Sequence, residues 1–320
     1  MRRKPELWVF ILAGFTFGSV LLFGYNPTIT DFLNAWRRTD PGPTQNANDN
    51  FAILIQQLEK TMPGSFTERY RIPSQADDGS FQEIVVDIEN NELTQATQSA
   101  SVYHYELLWL TDPKDSNAES YVLQERQPIE RGWGLYFFRV LDASDIVVEA
   151  PHPIADENTA EVALDLYRVL HAKALLVAGA HRNANSDGSA DPTHAQESIF
   201  QTVHTALFKL GEESAHPAIF LQIHGYDPET HPKVPQVVIG YNWKNDPQKD
   251  LLLSKILSAL QTNHITVGAC QEKNYPGLCG TTNVQRQATA GGVFLHMELS
   301  PELRRDDRAF ISAIGQALNP

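Results

Sequence analysis

Four apolar runs from Asp145 onward lead into side chains able to do acid–base or metal chemistry. DIVVEAP leads into His152 and Asp156, ALLVAGA into His181, Arg182, Asn183 and Asn185, AIFLQI into His224, and GVFLHM into Glu298. In open α/β sheets, ligands bind beyond the carboxyl ends of the strands, where the loops converge. Imidazole, carboxylate, guanidinium and amide groups sent to one sheet edge therefore describe a site, whereas a chance arrangement would scatter them. His152 and Asp156 are spaced so that a turn after the strand can aim both at one ion, with His224 as third ligand from a neighbouring strand. Three protein ligands with an open fourth position form the catalytic zinc pattern, so one zinc ion is the expected cofactor. Two alternatives stay open. Asp156 or Asn158 could cap a helix starting near Thr159, with His152 a hydrogen-bonded loop histidine, and Glu157 could replace Asp156 as ligand.

Around that expected metal the remaining groups take roles by chemistry. Arg182 offers five fixed donors suited to a carboxylate or a developing oxyanion. It could equally pair with Asp187 or Asp191 to order the loop HRNANSDGSADPTH. His181 competes for the metal because it also follows a strand, and is placed either behind the ligands or facing substrate. Glu298 sits inside an apolar strand, where an unpaired carboxylate is costly; beside a metal site it serves as general base, and its structural alternative is an ion pair with Arg304 or Arg305. His194 belongs to a loop facing the proposed site, while His204 and His216 read as surface or packing residues and His231 and His264 as loop residues. No G-x-S-x-G elbow, P-loop, G-x-G-x-x-G turn or H-E-x-x-H helix occurs, so the usual serine hydrolase, nucleotide and zincin readings have no foothold.

The elements that must position these groups follow from periodicity. From Val102 onward, apolar strand runs alternate with helical stripes, which predicts an α/β fold: three layers, a mostly parallel or mixed sheet, helices on both faces. Strands are expected at YELLWLT, YVLQERQ, GLYFFRV, DIVVEAP, ALLVAGA, AIFLQIH, QVVIGYN, HITVGAC and GVFLHMEL. Helices are expected over Glu157 to Leu170, from about His194 to Leu210 with Gly211 as its stop, and over Leu251 to Leu260. Ahead of these, FAILIQQLEK reads as a short amphipathic helix and FQEIVVDI as an alternating strand. The domain is expected over 51–320, with 51–100 an N-terminal extension that edges or covers the rest.

The 320 residues carry 25 Lys+Arg against 39 Asp+Glu, a formal net charge of -14. With no basic stripe to offset it, that balance repels phosphate backbones and argues against nucleic-acid binding. Arg2, Arg3 and Lys4 precede an uncharged apolar run from Leu7 to Tyr25. A bilayer span takes about 20 apolar residues. Residues 1–25 are therefore expected to be an uncleaved membrane anchor or a signal segment, and 26–50, broken by Pro and Gly, a linker. The positive flank places the rest outside the cytoplasm, periplasmic or extracellular. Cys270 and Cys279, separated by a Pro-Gly turn, are expected to form a disulfide in that oxidising compartment.

A His-x-x-x-Asp after one strand, a His-Arg-x-x-Asn after the next, a His after a third and a strand-borne Glu near the end together resemble the zinc-dependent N-formylglutamate amidohydrolases and, more distantly, the zinc carboxypeptidases. The stretches are PHPIADENT, AGAHRNANSDGSADPTH, FLQIHGY and FLHMELSPELR. The resemblance implies a phosphorylase/hydrolase-like fold, one zinc ion and hydrolysis of an amide beside a carboxylate in a peptide or N-acyl amino acid. By position it implies His152, Asp156 and His224 as metal ligands, Arg182 and Asn185 as the carboxylate-binding pair, and Glu298 as general base. The carboxypeptidases use His-x-x-Glu, where this chain has one residue more and Asp. The alternative from another class is a membrane-anchored, non-catalytic binding protein that keeps the fold and holds no metal.

Overall fold

The computed structural model describes residues 50–116, 118–214, 216–270 and 275–319. The expected anchor over 1–25 and the expected linker, except for its last residue Asn50, lie outside the described residues. Among the described residues, no helix is long and apolar enough to cross a membrane. The helices are α1 (Asn50–Thr61), α2 (Gln75–Glu89), α3 (Leu93–Val102), α4 (Thr159–Val169), α5 (Ile199–Glu213), α6 (Pro247–Thr262), α7 (Val284–Ala288), α8 (Pro301–Arg305) and α9 (Arg308–Leu318). The strands are β1 (Tyr105–Asp112), β2 (Ala118–Glu125), β3 (Leu135–Arg139), β4 (Ser144–Ala150), β5 (Ala172–Val177), β6 (Ile219–Gly225), β7 (Val237–Tyr241), β8 (Val267–Ala269) and β9 (Val293–Leu299).

All nine strands join one sheet in the order β1-β2-β3-β5-β4-β6-β9-β7-β8. The centre, β5-β4-β6-β9, is parallel; β1, β2 and β3 add to β5 in antiparallel fashion, and β7 returns antiparallel against β9. The sheet is thus mixed, and helices cover its central strands on both faces, as their continuous apolar runs require. On one face Val148, Leu221, Ile223, Leu295 and Met297 share a core with α1, α4, α6 and α9. On the other, Val147, Phe220 and Phe294 share a core with α2, α3 and α5.

Two expectations change. FQEIVVDI is helical, lying within α2. Its Ile-Val-Val run suggests a strand, but Phe81, Ile84, Val85 and Ile88 fall at helical spacing and all are buried. The N-terminal signal is a capping box, with Ser74 and Asp77 each hydrogen-bonded to the other's backbone. Helix α5 continues past Gly211 to Glu213; at Gly211 an added Cβ would lie 3.0 Å from the Ala218 amide, so this glycine admits the returning chain instead of ending the helix. Within residues 51–100, Phe51, Ile55 and Leu58 of α1 and Phe81, Ile84 and Val85 of α2 sit inside the two cores, so these helices cover the sheet.

Chain direction explains where a site can form. From β4 the chain crosses to β5 on one side, and from β5 it crosses back over β4 to β6 on the other. The outgoing loops of the adjacent strands β4 and β6 therefore diverge, opening a crevice at their carboxyl ends.

Candidate metal centre

His152 follows β4 directly, and Asp156 is folded back toward it by a turn in which the Asp156 amide donates to the His152 carbonyl, 2.9 Å. The Asp156 carboxylate does not cap α4: the cap position is Asn158, in left-handed backbone with φ 66° and no side-chain cap bond. Asp156 Oδ2 instead lies 3.2 Å from His152 Nδ1 and 3.3 Å from His224 Nδ1, and accepts the Gly225 amide at 3.2 Å. Glu157 is exposed and turned away, its carbonyl accepting from Arg304. His152, Asp156 and His224 are thus brought together with one ligand atom each, all within 4.8 Å of one another.

Both imidazoles present the same nitrogen inward and have the other tied outward. His152 Nε2 donates to Asp191 Oδ1 at 3.0 Å, and His224 Nε2 faces Gln222 Oε1 at 2.8 Å. Outward partners of this kind fix the tautomer and ring plane of metal-ligating histidines. Burial favours neutral imidazole at both positions. For His224 burial prevails, with the charge of His296 adding to it, and its pKa falls to about 4. For His152 burial is outweighed by Asp156 and Asp191, and the value rises to about 9. Burial raises Asp156 too, yet the charge and hydrogen bonding of His152 hold it far below the usual carboxylate range. A neutral His224 that donates from Nε2 points a bare Nδ1 lone pair at a carboxylate oxygen. Two acceptors face to face call for a cation between them, and this donor set of two nitrogens and one oxygen suits zinc.

The neighbouring strand brings up a further carboxylate. Glu298 of β9 stands opposite His224 of β6 in parallel register. Its buried carboxylate accepts from His296 Nε2, 3.0 Å away, two residues back on the same strand face. That partner replaces the expected Arg304 or Arg305: Arg304 binds the carbonyls of Glu157 and Tyr226, and Arg305 pairs with Glu302. The His296 ring lies 4.3 Å from that of His224. A cavity of about 290 Å³ opens over these groups, lined on the near side by His152, Arg182, His224, His296 and Glu298. Its far wall is the loop from Tyr275 to Asn283, attached to the end of β8 by the Cys270–Cys279 disulfide. Gly280, with φ +55°, permits this wall to lie against the site, since a Cβ there would meet the His296 ring at 2.8 Å.

The groups after β5 divide. Arg182 reaches the cavity, pairing with Asp191 Oδ2 at 2.6 Å and approaching His152 Nδ1 at 3.3 Å. His181 and Asn185 do not line it. His181 Nδ1 accepts the Asn183 amide at 3.0 Å; burial, then the charges of His152 and Arg182, pull its pKa down. Asn185 departs from the expected carboxylate-binding role, because its amide is taken up by the Tyr70 amide and carbonyl and the Ser189 hydroxyl. His194 is exposed at the cavity rim, between Asp191 and Thr282.

Four residues of the site escape the sequence reading. Gln222 and His296 were legible in principle, because residues two apart on a strand share a face, and each precedes His224 or Glu298 by two. Asp191 was legible only as a partner for Arg182; its grip on His152 depends on how a long loop folds back. His204, read as a surface or packing residue, is the second: it is fully buried on α5, with Nδ1 2.7 Å from Glu149 Oε1, a partner the sequence did not suggest.

No known protein family matches the sequence, and no curated protein does. Among solved structures, the chain is similar to a gene product of Agrobacterium tumefaciens at 16% identity and TM-score 0.39, covering 54% of this chain and 86% of that one. A bacteriophage poly-gamma-glutamate hydrolase shares 15% identity at TM-score 0.39, over 57% of this chain and 85% of the other. An aspartoacylase family protein of Mesorhizobium loti shares 12% identity at TM-score 0.37, over 58% and 62%.

Proposed function

We propose that this chain is a zinc-dependent hydrolase that cleaves an amide C–N bond next to a carboxylate, in a peptide or an N-acyl amino acid. The observation that carries this reading is the meeting of two inward Nδ1 atoms and the Asp156 carboxylate directly beside Glu298. His152, His224 and Asp156 would hold the ion, which when bound supplies a Lewis acid for the carbonyl oxygen and makes a ligated water more acidic. Glu298 takes a proton from the attacking water as its oxygen joins the carbonyl carbon. It returns that proton to the nitrogen as the C–N bond breaks. His296 donates to Glu298 Oε1, which leaves Oε2 to carry the proton. Arg182, steadied by Asp191, anchors the substrate carboxylate through donors that Asp191 does not use, and so sets the attack geometry. We place this activity outside the cytoplasm, on a chain held to the membrane by residues 1–25; the Cys270–Cys279 bond supports an oxidising compartment.

The test is elemental analysis of the purified full chain beside His152→Ala, followed by a screen of N-acyl amino acids and peptides. Near-stoichiometric zinc in the wild type, lost in the variant, is the expected result. A chain that stays metal-free after zinc-replete purification removes the hydrolase reading and leaves a binding protein.

A further inference from the structure

Behind His224 lies a polar network that the proposed reaction does not touch. Glu149, His204, Gln222, Gln285 and Thr289 are each 0% exposed, in a layer otherwise built of phenylalanine and aliphatic side chains. Polar groups at such depth persist only when each has a partner of the right polarity, so the directions of the hydrogen bonds can be followed one by one. Gln285 Nε2 lies 2.8 Å from the carbonyl of Pro192, which can only accept. The nitrogen end of Gln285 is thereby fixed, and its Oε1 must be the acceptor that meets Gln222 Nε2 at 3.3 Å. The same Gln222 nitrogen donates to Glu149 Oε2 at 2.9 Å. Glu149 is itself held by His204, whose second nitrogen meets Thr289 Oγ1 at 2.9 Å.

With its nitrogen committed twice, Gln222 has only Oε1 to turn toward His224, and that oxygen also accepts Asn283 Nδ2 at 2.5 Å. Facing an acceptor at 2.8 Å, His224 Nε2 must carry the ring proton. Its Nδ1 is then the bare nitrogen, directed at Asp156. The strand register serves the same end, because Glu149, Gln222 and His296 lie side by side across β4, β6 and β9.

We propose that Gln222 is a positioning residue for the metal, locked in amide orientation by Glu149 and Gln285, which forces His224 to offer Nδ1 as its ligand nitrogen. The inference rests on the metal reading above, but its structural half, the fixed tautomer, is testable without metal. Losing an outer partner of a ligating histidine weakens metal binding by about 10–100-fold. Gln222→Met keeps the length and removes the acceptor, while Gln222→Glu keeps an acceptor for His224.

The experiment uses full-length chain with 15N-labelled histidine rings. Metal-free wild type should show His224 with its proton on Nε2 alone, and Gln222→Met should show a mixture of tautomers. Zinc affinity, measured by chelator competition, should fall about 10–100-fold in Gln222→Met and be partly restored in Gln222→Glu. An Nδ1-protonated His224 in the metal-free wild type overturns the proposal whatever the chain does with zinc. So does a folded Gln222→Met that keeps both the tautomer and the zinc affinity of the wild type. If Gln222→Met does not fold, Gln285→Met decides, since Gln285 touches no metal ligand: a loosened tautomer supports the lock, and an unchanged one overturns it. A wild type with the expected tautomer and no zinc affinity would reject the hydrolase reading and, with it, the metal half of this one.

Discussion

On one face of the central strands, Val148, Leu221, Ile223, Leu295 and Met297 remain apolar to the ends of their strands and meet the apolar stripes of α1, α4, α6 and α9. On the other face the same strands begin with Val147, Phe220 and Phe294 and finish with Glu149, Gln222, His224, His296 and Glu298. Because side chains alternate, adjacent residues of one strand serve opposite purposes: Ile223 seals a core and His224 opens a site. The difference teaches that the polar face can be costly only because the apolar one is not. Uninterrupted burial of about 25 cal/mol per Å² on one side supports polar groups on the other, each of which must find a partner or impose a desolvation penalty.

Substitutions at neighbouring positions of β6 probe this division most sharply. His224→Ala should lose bound zinc and reduce hydrolysis by at least about a thousandfold, while the chain remains folded by circular dichroism. Ile223→Ala should do the reverse: it costs about 2–5 kcal/mol in denaturant unfolding and leaves zinc per folded chain unchanged. Zinc retained by the first variant, or lost from the folded second, would abolish the contrast. Within the polar face, Glu298→Gln should keep the metal and lower kcat by roughly 10²–10⁴, the usual contribution of a general acid–base group. Metal lost together with rate would make Glu298 part of the ion's support instead.

Adding zinc at 100 times its dissociation constant should stabilise the metal-free chain by about 2.7 kcal/mol, the mass-action value for a single site. Asp156→Asn should erase that gain; a gain that persists would place the ion elsewhere. The smallest effect belongs to the apolar side, where Glu59 of α1 approaches Glu161 of α4. Burial, then the Glu161 charge, push the Glu59 carboxyl up to about 7. The fold thus holds a proton that the unfolded chain releases at the ordinary glutamate value. Below that value both states are protonated and the group does not affect stability; as pH rises from there toward about 7, ionisation favours the unfolded chain and the fold is progressively destabilised. Glu59→Gln should therefore raise the melting temperature at pH 8 by a few degrees at most, and leave it alone at pH 4. Equal shifts at both values would mean that the proton plays no part.

The strands were legible because strands buried in the sheet carry apolar runs, and YELLWLT through GVFLHMEL all pair. The gathering of His152, Asp156 and His224 was legible because the strand-end rule needs only strand direction. Helix α2 was not read as such, since Ile84-Val85-Val86 favours extended backbone until the Ser74–Asp77 box is weighed. Helices α3, α7, α8 and α9 also went unread; α7 and α8 span five residues each, too few for periodicity to show. Asn185 was misassigned because its position beside Arg182 says nothing of Tyr70, which lies 115 residues away in sequence. Charge and spacing reveal what a residue can do; what it touches depends on contacts across the fold.

That contact with Tyr70 belongs to a longer seam. The Phe66 amide meets the Asn183 carbonyl, the Glu68 amide meets the Ala184 carbonyl, the Ser186 amide meets Glu68 Oε1, and the His181 amide meets the Pro63 carbonyl. The loop carrying Arg182 and Asp191 is therefore fastened along one margin to chain laid down more than a hundred residues earlier. A minimal catalytic fragment cannot be excised by cutting ahead of β1. Such a cut would spare every proposed metal ligand and still release the strap that holds their outer partners in place, so this chain is not modular ahead of its first strand.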